Sequence, residues 1–211
     1  MQNPEIVMSQ LSQLRTIFHS EADFQHAFAW EMHKMEPTAS LSLERPYKTD
    51  ETNLHLDMLF QNGGKSLAIE LKYKTLKLDH GTDEHRYQLR DQSAQDVGRY
   101  DFIKDIWRLE TITKSIPNCT GWAILLTNDN NYWKPPSRED TVDFSFRLTN
   151  GTTLSGTRSW GDKASAGTMK NREKPLALNG AYNLAWKDYS DVTPFKNGKF
   201  RYLALRVAND G

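Results

Sequence analysis

The sequence contains a single cysteine, Cys119, so no disulfide bond can form within the chain. This residue lies between Pro117 and an apolar run, a position that suits a small buried side chain, and we interpret it as a core residue in a reducing compartment. No run of about 18 apolar residues occurs, and the apolar stretch in residues 1–20 is too short for a signal peptide. We therefore expect a cytoplasmic protein without a membrane partner.

The chain also lacks net charge, with 27 Lys and Arg residues against 27 Asp and Glu residues. No global field would attract a polyanion, so any contact with nucleic acid must come from a local basic patch. Apolar residues make up 37% of the chain, which is enough for a substantial core and excludes disorder of the whole chain. Because no repeat or low-complexity linker interrupts the sequence, we predict one domain over residues 1–211.

Hydrophobic periodicity predicts an α/β protein with several helices and strands. Ser20 is a good N-cap for a helix that Pro37 closes, and Gln61-Asn62-Gly63-Gly64 predicts a hairpin turn between two strands. The polar segment 75–91 is interpreted as a loop that runs into a helix. The predicted helices cover 5–18, 21–35 and 92–113, and the predicted strands cover 41–47, 53–60, 65–73, 120–126, an alternating segment at 142–148 before an Asn150-Gly151 turn, and 200–207.

Two acidic residues lie in the strands that this hairpin would join. Asp57 and Glu70 are 13 positions apart, and Glu70 shares a strand face with Lys72. Hard cations such as Mg²⁺ take one or two carboxylates in addition to water and substrate phosphate, and the carbonyl of Leu71 offers a further oxygen. Lys72 can neutralise charge on a phosphoryl group or, with a lowered pKa, help to deprotonate a water. The alternative is an ordinary surface pair with Lys72 as its counter-ion.

Leu54-His55-Leu56-Asp57-Met58-Leu59-Phe60, followed by Leu67-Ala68-Ile69-Glu70-Leu71-Lys72-Tyr73, resembles the PD-(D/E)xK nuclease superfamily. The resemblance covers about residues 20–128 and departs from the family pattern where Leu56 replaces the proline before the aspartate. It implies a restriction-endonuclease-like core with a mixed central sheet flanked by helices in the order αβββαβ, followed by a β-rich elaboration over about 140–211. It also implies that Asp57 and Glu70 bind Mg²⁺ or Mn²⁺ and that Lys72 is the catalytic lysine.

Members of this superfamily often add a glutamate from the first core helix, and Glu21 is our first choice, with Glu31 in reserve. An acid in a first helical turn is equally explained by the helix dipole. Some branches use a glutamine in the later helix, which here would be Gln95. For the other charged residues of that helix, a solvated or salt-bridged face is the preferred interpretation.

Basic residues near the Glu-x-Lys strand are candidates for contacts with nucleic-acid phosphates. The candidates are Lys74, Lys77, Arg86 and Arg99. Charged loops are more often simply solvated, and the same holds for Trp133, which can stack an unpaired base or anchor a loop beside Pro135 and Pro136.

The combined pattern predicts a metal-dependent nuclease that hydrolyses phosphodiester bonds, with DNA as the nucleic-acid partner and internal cleavage favoured over exonuclease action. The alternative is a catalytically silent module of the same fold that binds nucleic acid or a protein. A homodimer is left open.

Overall fold

A computed structural model describes residues 2–48, 53–82 and 84–208 as a mixed α/β protein. Its helices are α1 (Pro4–Leu14), α2 (Glu21–Met35), α3 (Gln95–Ser115) and the short α4 (Ala166–Met169). Its strands are β1 (Ser40–Lys48), β2 (Asn53–Asn62), β3 (Lys65–Lys74), β4 (Leu78–Gly81), β5 (Arg86–Leu89), β6 (Cys119–Thr127), β7 (Thr153–Arg158), β8 (Leu176–Asn183), β9 (Lys187–Asp191) and β10 (Lys199–Ala208). Within these residues, no helix is long and apolar enough to cross a membrane.

The helix that carries Glu21 begins where the sequence predicts. Ser20 caps α2 by accepting a hydrogen bond from the backbone N–H of Asp23 at 3.1 Å. The preceding helix ends earlier than predicted, at Leu14, because Arg15 adopts an extended conformation and its guanidinium pairs with Asp23. Ile17 is then a fully buried residue of the link between the two helices and does not belong to α1.

A six-stranded sheet forms the centre of the molecule, in the order β1-β2-β3-β6-β10-β9. β3 and β6 are parallel, and the other neighbours are antiparallel. The parallel pair needs a crossover connection, which α3 provides. The predicted β2–β3 hairpin and the predicted buried strand at β6 are both confirmed.

Apolar side chains cover both faces of this sheet. On one face, α1 and α2 pack on β3 and β6 through residues such as Phe24 and Phe28. On the other face, α3 packs through Ile103 and Ile106 and is itself covered by the β7–β8 pair. Cys119 belongs to this second core, and burial raises the pKa of its thiol to about 11. The prediction that Cys119 is a core residue is therefore confirmed.

Two predicted segments differ from the structure. Residues 78–89 form the β4–β5 hairpin where a loop leading into a helix was predicted, and residue 83 lies outside the described part of the chain. The predicted strand at 142–148 is wrong, since residues Phe144–Phe146 form a 3₁₀ turn. Alternation failed as a guide here because Phe144 is exposed, whereas Phe146 packs against the rings of Tyr100 and Trp160.

Candidate active site

The proposed site lies where β2 and β3 stop pairing. Their last paired residues toward this end are Met58 and Ile69, and Asp57 comes next along β2. There the Asp57 side chain takes the place of a backbone acceptor from β2, because its Oδ2 accepts a hydrogen bond from the backbone N–H of Leu71 at 2.7 Å. In an extended strand the N–H and C=O of one residue point to the same side, so the Leu71 carbonyl also faces Asp57. Oxygen atoms of Asp57 and Leu71 therefore lie on the same side of β3 at this point.

Glu21 extends this arrangement along the edge of β3. Its Oε2 accepts a hydrogen bond from the backbone N–H of Tyr73 at 2.8 Å, two residues beyond the group that Asp57 holds. The predicted approach of the α2 N-terminus to the Glu-x-Lys strand is therefore present. However, in the described part of the chain no three His, Cys, Asp or Glu side chains come together as a metal-binding group. The prediction that Glu21 completes a three-carboxylate ligand set is not supported, because its carboxylate is turned to the backbone of β3.

Lys72 reaches across to helix α3. Its Nζ lies 3.0 Å from Oδ2 of Asp105, in an ion pair whose angle falls short of a well-aligned hydrogen bond. The other oxygen of Asp105 lies 3.2 Å from Nη1 of Arg108. Lys72 Nζ is also 3.5 Å from the Leu71 carbonyl oxygen. The ammonium is thus held between the α3 carboxylate and the Leu71 carbonyl, where the charge of Asp57 also acts on it.

Glu70 is the most constrained of the predicted acids. It is only 2% exposed, and its Oε1 is buried without a hydrogen-bond partner among the described residues. An unpaired buried carboxylate oxygen costs free energy, so this position favours either a bound cation or a proton. Glu70 faces the same side of β3 as Lys72, as the strand alternation predicts.

Burial and mutual repulsion change the ionisation of these acids. Burial raises the pKa of Asp57 to about 6, with further upward contributions from Asp105 and Glu21, against the opposing effects of Lys72 and the Leu71 N–H. Burial likewise raises the pKa of Glu70, and the charges of Asp105 and Asp57 raise it further. For Lys72, burial acts to lower the pKa, but the surrounding carboxylates outweigh burial and raise it above its ordinary value.

The charges of this cluster do not balance. Two cations, Lys72 and Arg108, interact with a larger number of carboxylates. The carboxylates are Asp57, Glu70, Glu21 and Asp105. If all were ionised, two negative charges would be in excess, which is the charge that one divalent cation neutralises.

Gln95 lies outside the cluster. It is 10 residues before Asp105 on α3, about 15 Å along the axis at about 1.5 Å per residue. Its amide Nε2 donates to Asp129 Oδ2 at 2.8 Å, directly after β6. The structure therefore does not bring Gln95 to the acids, and the prediction of a catalytic role is not supported. Glu31, the reserve acid, is also accounted for, since it is buried and paired with Lys34 at 3.0 Å.

The predicted phosphate contacts divide into two groups. Arg99 is 2% exposed, pairs with Asp143 at 2.6 Å and donates to the carbonyl of Asn131. The Arg99 guanidinium is therefore already paired inside the protein, and its contact with phosphate stays a prediction. Lys74 is half-buried at the end of β3, Lys77 is exposed just beyond it, and Arg86 is exposed but paired with Asp79. Their contact with nucleic acid stays a prediction.

Trp133 is buried against Trp186, so the interpretation as a loop anchor is confirmed.

Asp105 and Arg108 are residues of the site that the sequence prediction missed, having assigned both to a salt-bridged helix face. A signal for Asp105 was available. It lies in the same helical row as Phe102, Leu109 and Ile112, which are apolar and buried, so its charge had to enter the core.

Comparison with known proteins identifies no relative of this chain. No protein-family model matches the chain, and no match was found among curated proteins or among solved structures.

Proposed function

We propose that this protein is a metal-dependent phosphodiesterase that cleaves DNA internally, with the cation held by Asp57, Glu70 and the Leu71 carbonyl. One observation carries the proposal. At the end of the β2–β3 pairing, the half-buried carboxylate of Asp57 and the buried carboxylate of Glu70 interact with each other and with the Lys72 ammonium, which lies beside the Leu71 carbonyl. The resemblance to PD-(D/E)xK nucleases rests on the same residues and supports the same reaction.

The residues present fit a hard divalent cation. Mg²⁺ and Mn²⁺ favour oxygen ligands, and Mg²⁺ commonly takes only one or two carboxylates and keeps several waters. Asp57 and Glu70 supply those carboxylates. The buried Glu70 Oε1 has no hydrogen-bond partner among the described residues, so a bound cation would compensate its desolvation. We assign Glu21 to holding the edge of β3 and to facing the cation through water, because its Oε2 is already bonded to Tyr73.

A bound divalent cation would polarise the scissile phosphate and lower the pKa of an attacking water. The protein's own contribution centres on Lys72, whose ammonium is placed to stabilise negative charge on the phosphoryl oxygens. Asp105 is a positioning residue in this scheme. Its 3.0 Å ion pair fixes the direction of the Lys72 side chain, and Arg108 in turn fixes Asp105.

The proposal is tested by plasmid nicking with three substitutions, Asp57→Asn, Glu70→Gln and Lys72→Met. Each is close in size to the native side chain, and each should reduce Mg²⁺-dependent cleavage by about 100-fold or more. Asp162→Asn and Lys65→Met are matched controls at exposed positions outside the cluster and should cleave like the native protein. Full activity in all three cluster variants would overturn the proposal.

Calorimetric titration with Mn²⁺ separates metal ligands from the lysine. We expect binding to be lost in Asp57→Asn and Glu70→Gln but retained in Lys72→Met, since Lys72 acts on the phosphate and not on the cation. A native protein that binds neither Mn²⁺ nor Mg²⁺ and leaves DNA intact would favour the alternative, a silent module of the same fold.

A further inference from the structure

A second candidate site lies at the N-terminus of α3, away from the carboxylate cluster. It is a polar cleft of about 550 Å³ between the first turn of α3 and the segment 131–147. The cleft opens beyond the end of β6. Since Lys74 pairs with Thr127 in the parallel β3–β6 ladder, this is the same end of the sheet that Lys72 approaches.

Two arginines form the base of this cleft and share one carboxylate. Arg99 lies 2.6 Å from one oxygen of Asp143, and Arg147 lies 3.1 Å from the other. The buried carboxylate of Asp129 also acts on Arg99, so the two guanidinium groups are opposed by two carboxylates in a poorly solvated place. Burial lowers the pKa of Arg99, and the charge of Arg147 lowers it further, which shows the mutual repulsion of the two guanidinium groups. Both Nε atoms are buried without a hydrogen-bond partner among the described residues.

The rim adds further positive charge. Lys134 and Arg138 line the cleft and are exposed, and no carboxylate of the described chain pairs with Lys134. Arg138 pairs with the neighbouring Asp140 at 3.1 Å, but both side chains are more than 70% exposed, where such a pair is weak. Besides Asp143, Asp96 is the lining residue that carries a negative charge. The residues that line the cleft therefore include four basic side chains, Arg99, Lys134, Arg138 and Arg147, against the two acids Asp96 and Asp143.

The N-terminus of α3 contributes in the same direction. Ala94 occupies the N-cap position and supplies no side-chain hydrogen bond to the first turn. The first turn of this 21-residue helix carries the positive end of the dipole at the cleft, part of which Asp96 offsets, since its Oδ1 accepts a hydrogen bond from the Val97 N–H at 2.8 Å. With the cations from Arg99, Arg147 and Lys134, this favours an anion with several oxygen atoms.

We propose that this cleft binds the phosphodiester backbone of the nucleic-acid strand that the carboxylate cluster cleaves. The identity of the anion rests on the proposed function. The first turn of α3 lies about 15 Å along the helix from Asp105, about four base-pair steps of a duplex at about 3.4 Å per step. A strand held at the carboxylates can therefore extend into the cleft. Lys134 and Arg138 on the rim then provide the local basic patch that a chain without net charge needs to bind nucleic acid.

The test is a binding measurement in which no cleavage occurs. Fluorescence anisotropy in EDTA would measure the affinity for labelled duplex DNA, single-stranded DNA and RNA of about 20 nucleotides at several salt concentrations. Lys134→Glu combined with Arg138→Glu should weaken binding at least ~10-fold and reduce the slope of log Kd against log salt by about 2. Both side chains are exposed, so the fold should be retained, which circular dichroism would check.

Lys65→Glu is the matched control, because Lys65 is an exposed lysine at the opposite end of β3. Its affinity should stay within about 2-fold of the native protein apart from the small general effect of charge. Native affinity in the double variant, an equal loss in the control, or no binding of any nucleic acid by the native protein would each overturn the cleft proposal. Comparing the three nucleic acids identifies the strand type.

The same variants separate the two proposals. If the double variant binds normally while Asp57→Asn stops cleavage, the cleft proposal fails and the nuclease proposal stands. If the double variant loses binding but the native protein never cleaves, the cleft proposal stands and the nuclease proposal fails.

Discussion

Asp57 does two things at once in this fold. Its carboxylate replaces a backbone acceptor for Leu71, which stabilises the end of a strand, but its charge is partly buried near Asp105 and Glu21. The hydrogen bond does not require the charge, since an amide oxygen also accepts it. The negative charge itself therefore opposes folding unless a cation compensates it.

Asp57→Asn should therefore stabilise the metal-free protein. A carboxyl whose pKa is about 6 in the folded state and near 3.8 when unfolded binds more protons when folded, so the free energy of unfolding falls as pH rises through that window. At about pH 7.5 in EDTA we expect a gain of about 3 kcal/mol, or roughly 6–12 °C in melting temperature. The gain should shrink on acidification and disappear near pH 4.

Thermal melts at a series of pH values check this, with the exposed Asp162→Asn as control. A variant that is less stable than the native protein at neutral pH, or a difference that does not depend on pH, would show that the Asp57 charge is already compensated by Lys72. Added Mn²⁺ should stabilise the native protein and leave Asp57→Asn unchanged.

At the scale of elements, α3 approaches the turn after β6 so closely that only glycine fits at position 98. A Cβ atom there would lie 2.2 Å from the hydroxyl oxygen of Tyr132. That hydroxyl is buried and has no hydrogen-bond partner among the described residues. In the sequence, Gly98 weakens the prediction of a helix. The structure explains why glycine stands there, because Tyr132, 34 positions away, leaves no room for a side chain.

Gly98→Ala should lower the free energy of unfolding by about 1–3 kcal/mol, because overpacking outweighs the ~1 kcal/mol gain in helix propensity. Adding Tyr132→Phe should restore stability to the native level or above, since it removes the clashing atom and no hydrogen bond. Urea denaturation would measure both. Gly167→Ala is the control, because a Cβ atom there would meet only Ser165 Oγ at 3.9 Å, and it should not destabilise the protein. No recovery in the double variant would place the strain elsewhere.

At the scale of the whole molecule, the C-terminal part is not an appendage. β10 pairs with β6 from Arg201 to Ala208 and places Leu203 and Leu205 in the core on the α3 face. Glu110 of α3 accepts hydrogen bonds from the backbone N–H groups of Asn179 and Gly180, which fixes the β7–β8 pair over the helix. The core of about 20–128 therefore shares its interior with residues 140–208.

A chain that ends after residue 139 should consequently fail to fold cooperatively. It would expose the edge of β6 and the apolar face of α3, and a loss of this size exceeds the typical stability of about 5–15 kcal/mol. Near-ultraviolet circular dichroism and limited proteolysis would check this, with a chain ending at Ala208 as control. A sharp thermal transition in the shorter chain would show that residues 20–128 form an independent unit.

Local pattern predicted much of this molecule correctly. The Ser20 cap, the Gly63-Gly64 turn and the apolar run of β6 determined α2, the β2–β3 hairpin and the central strand, because caps, turns and buried strands are specified by residues near in sequence. Alternation in β3 likewise put Glu70 and Lys72 on one face. The sequence alone therefore determined that Glu70 and Lys72 would be neighbours.

Tertiary structure decided what those neighbours meet. Asp105 pairs with Lys72 across a helix-to-strand contact. Glu21 accepts a hydrogen bond from Tyr73, which is 52 positions away, and Arg99 pairs with Asp143, which is 44 positions away. Spacing along the chain carries no information about such pairs, since they depend on how α2, α3 and the 131–147 segment pack on the sheet. Packing, and not pattern, therefore determined which charges are buried together, and with them the charge excess of the candidate metal site.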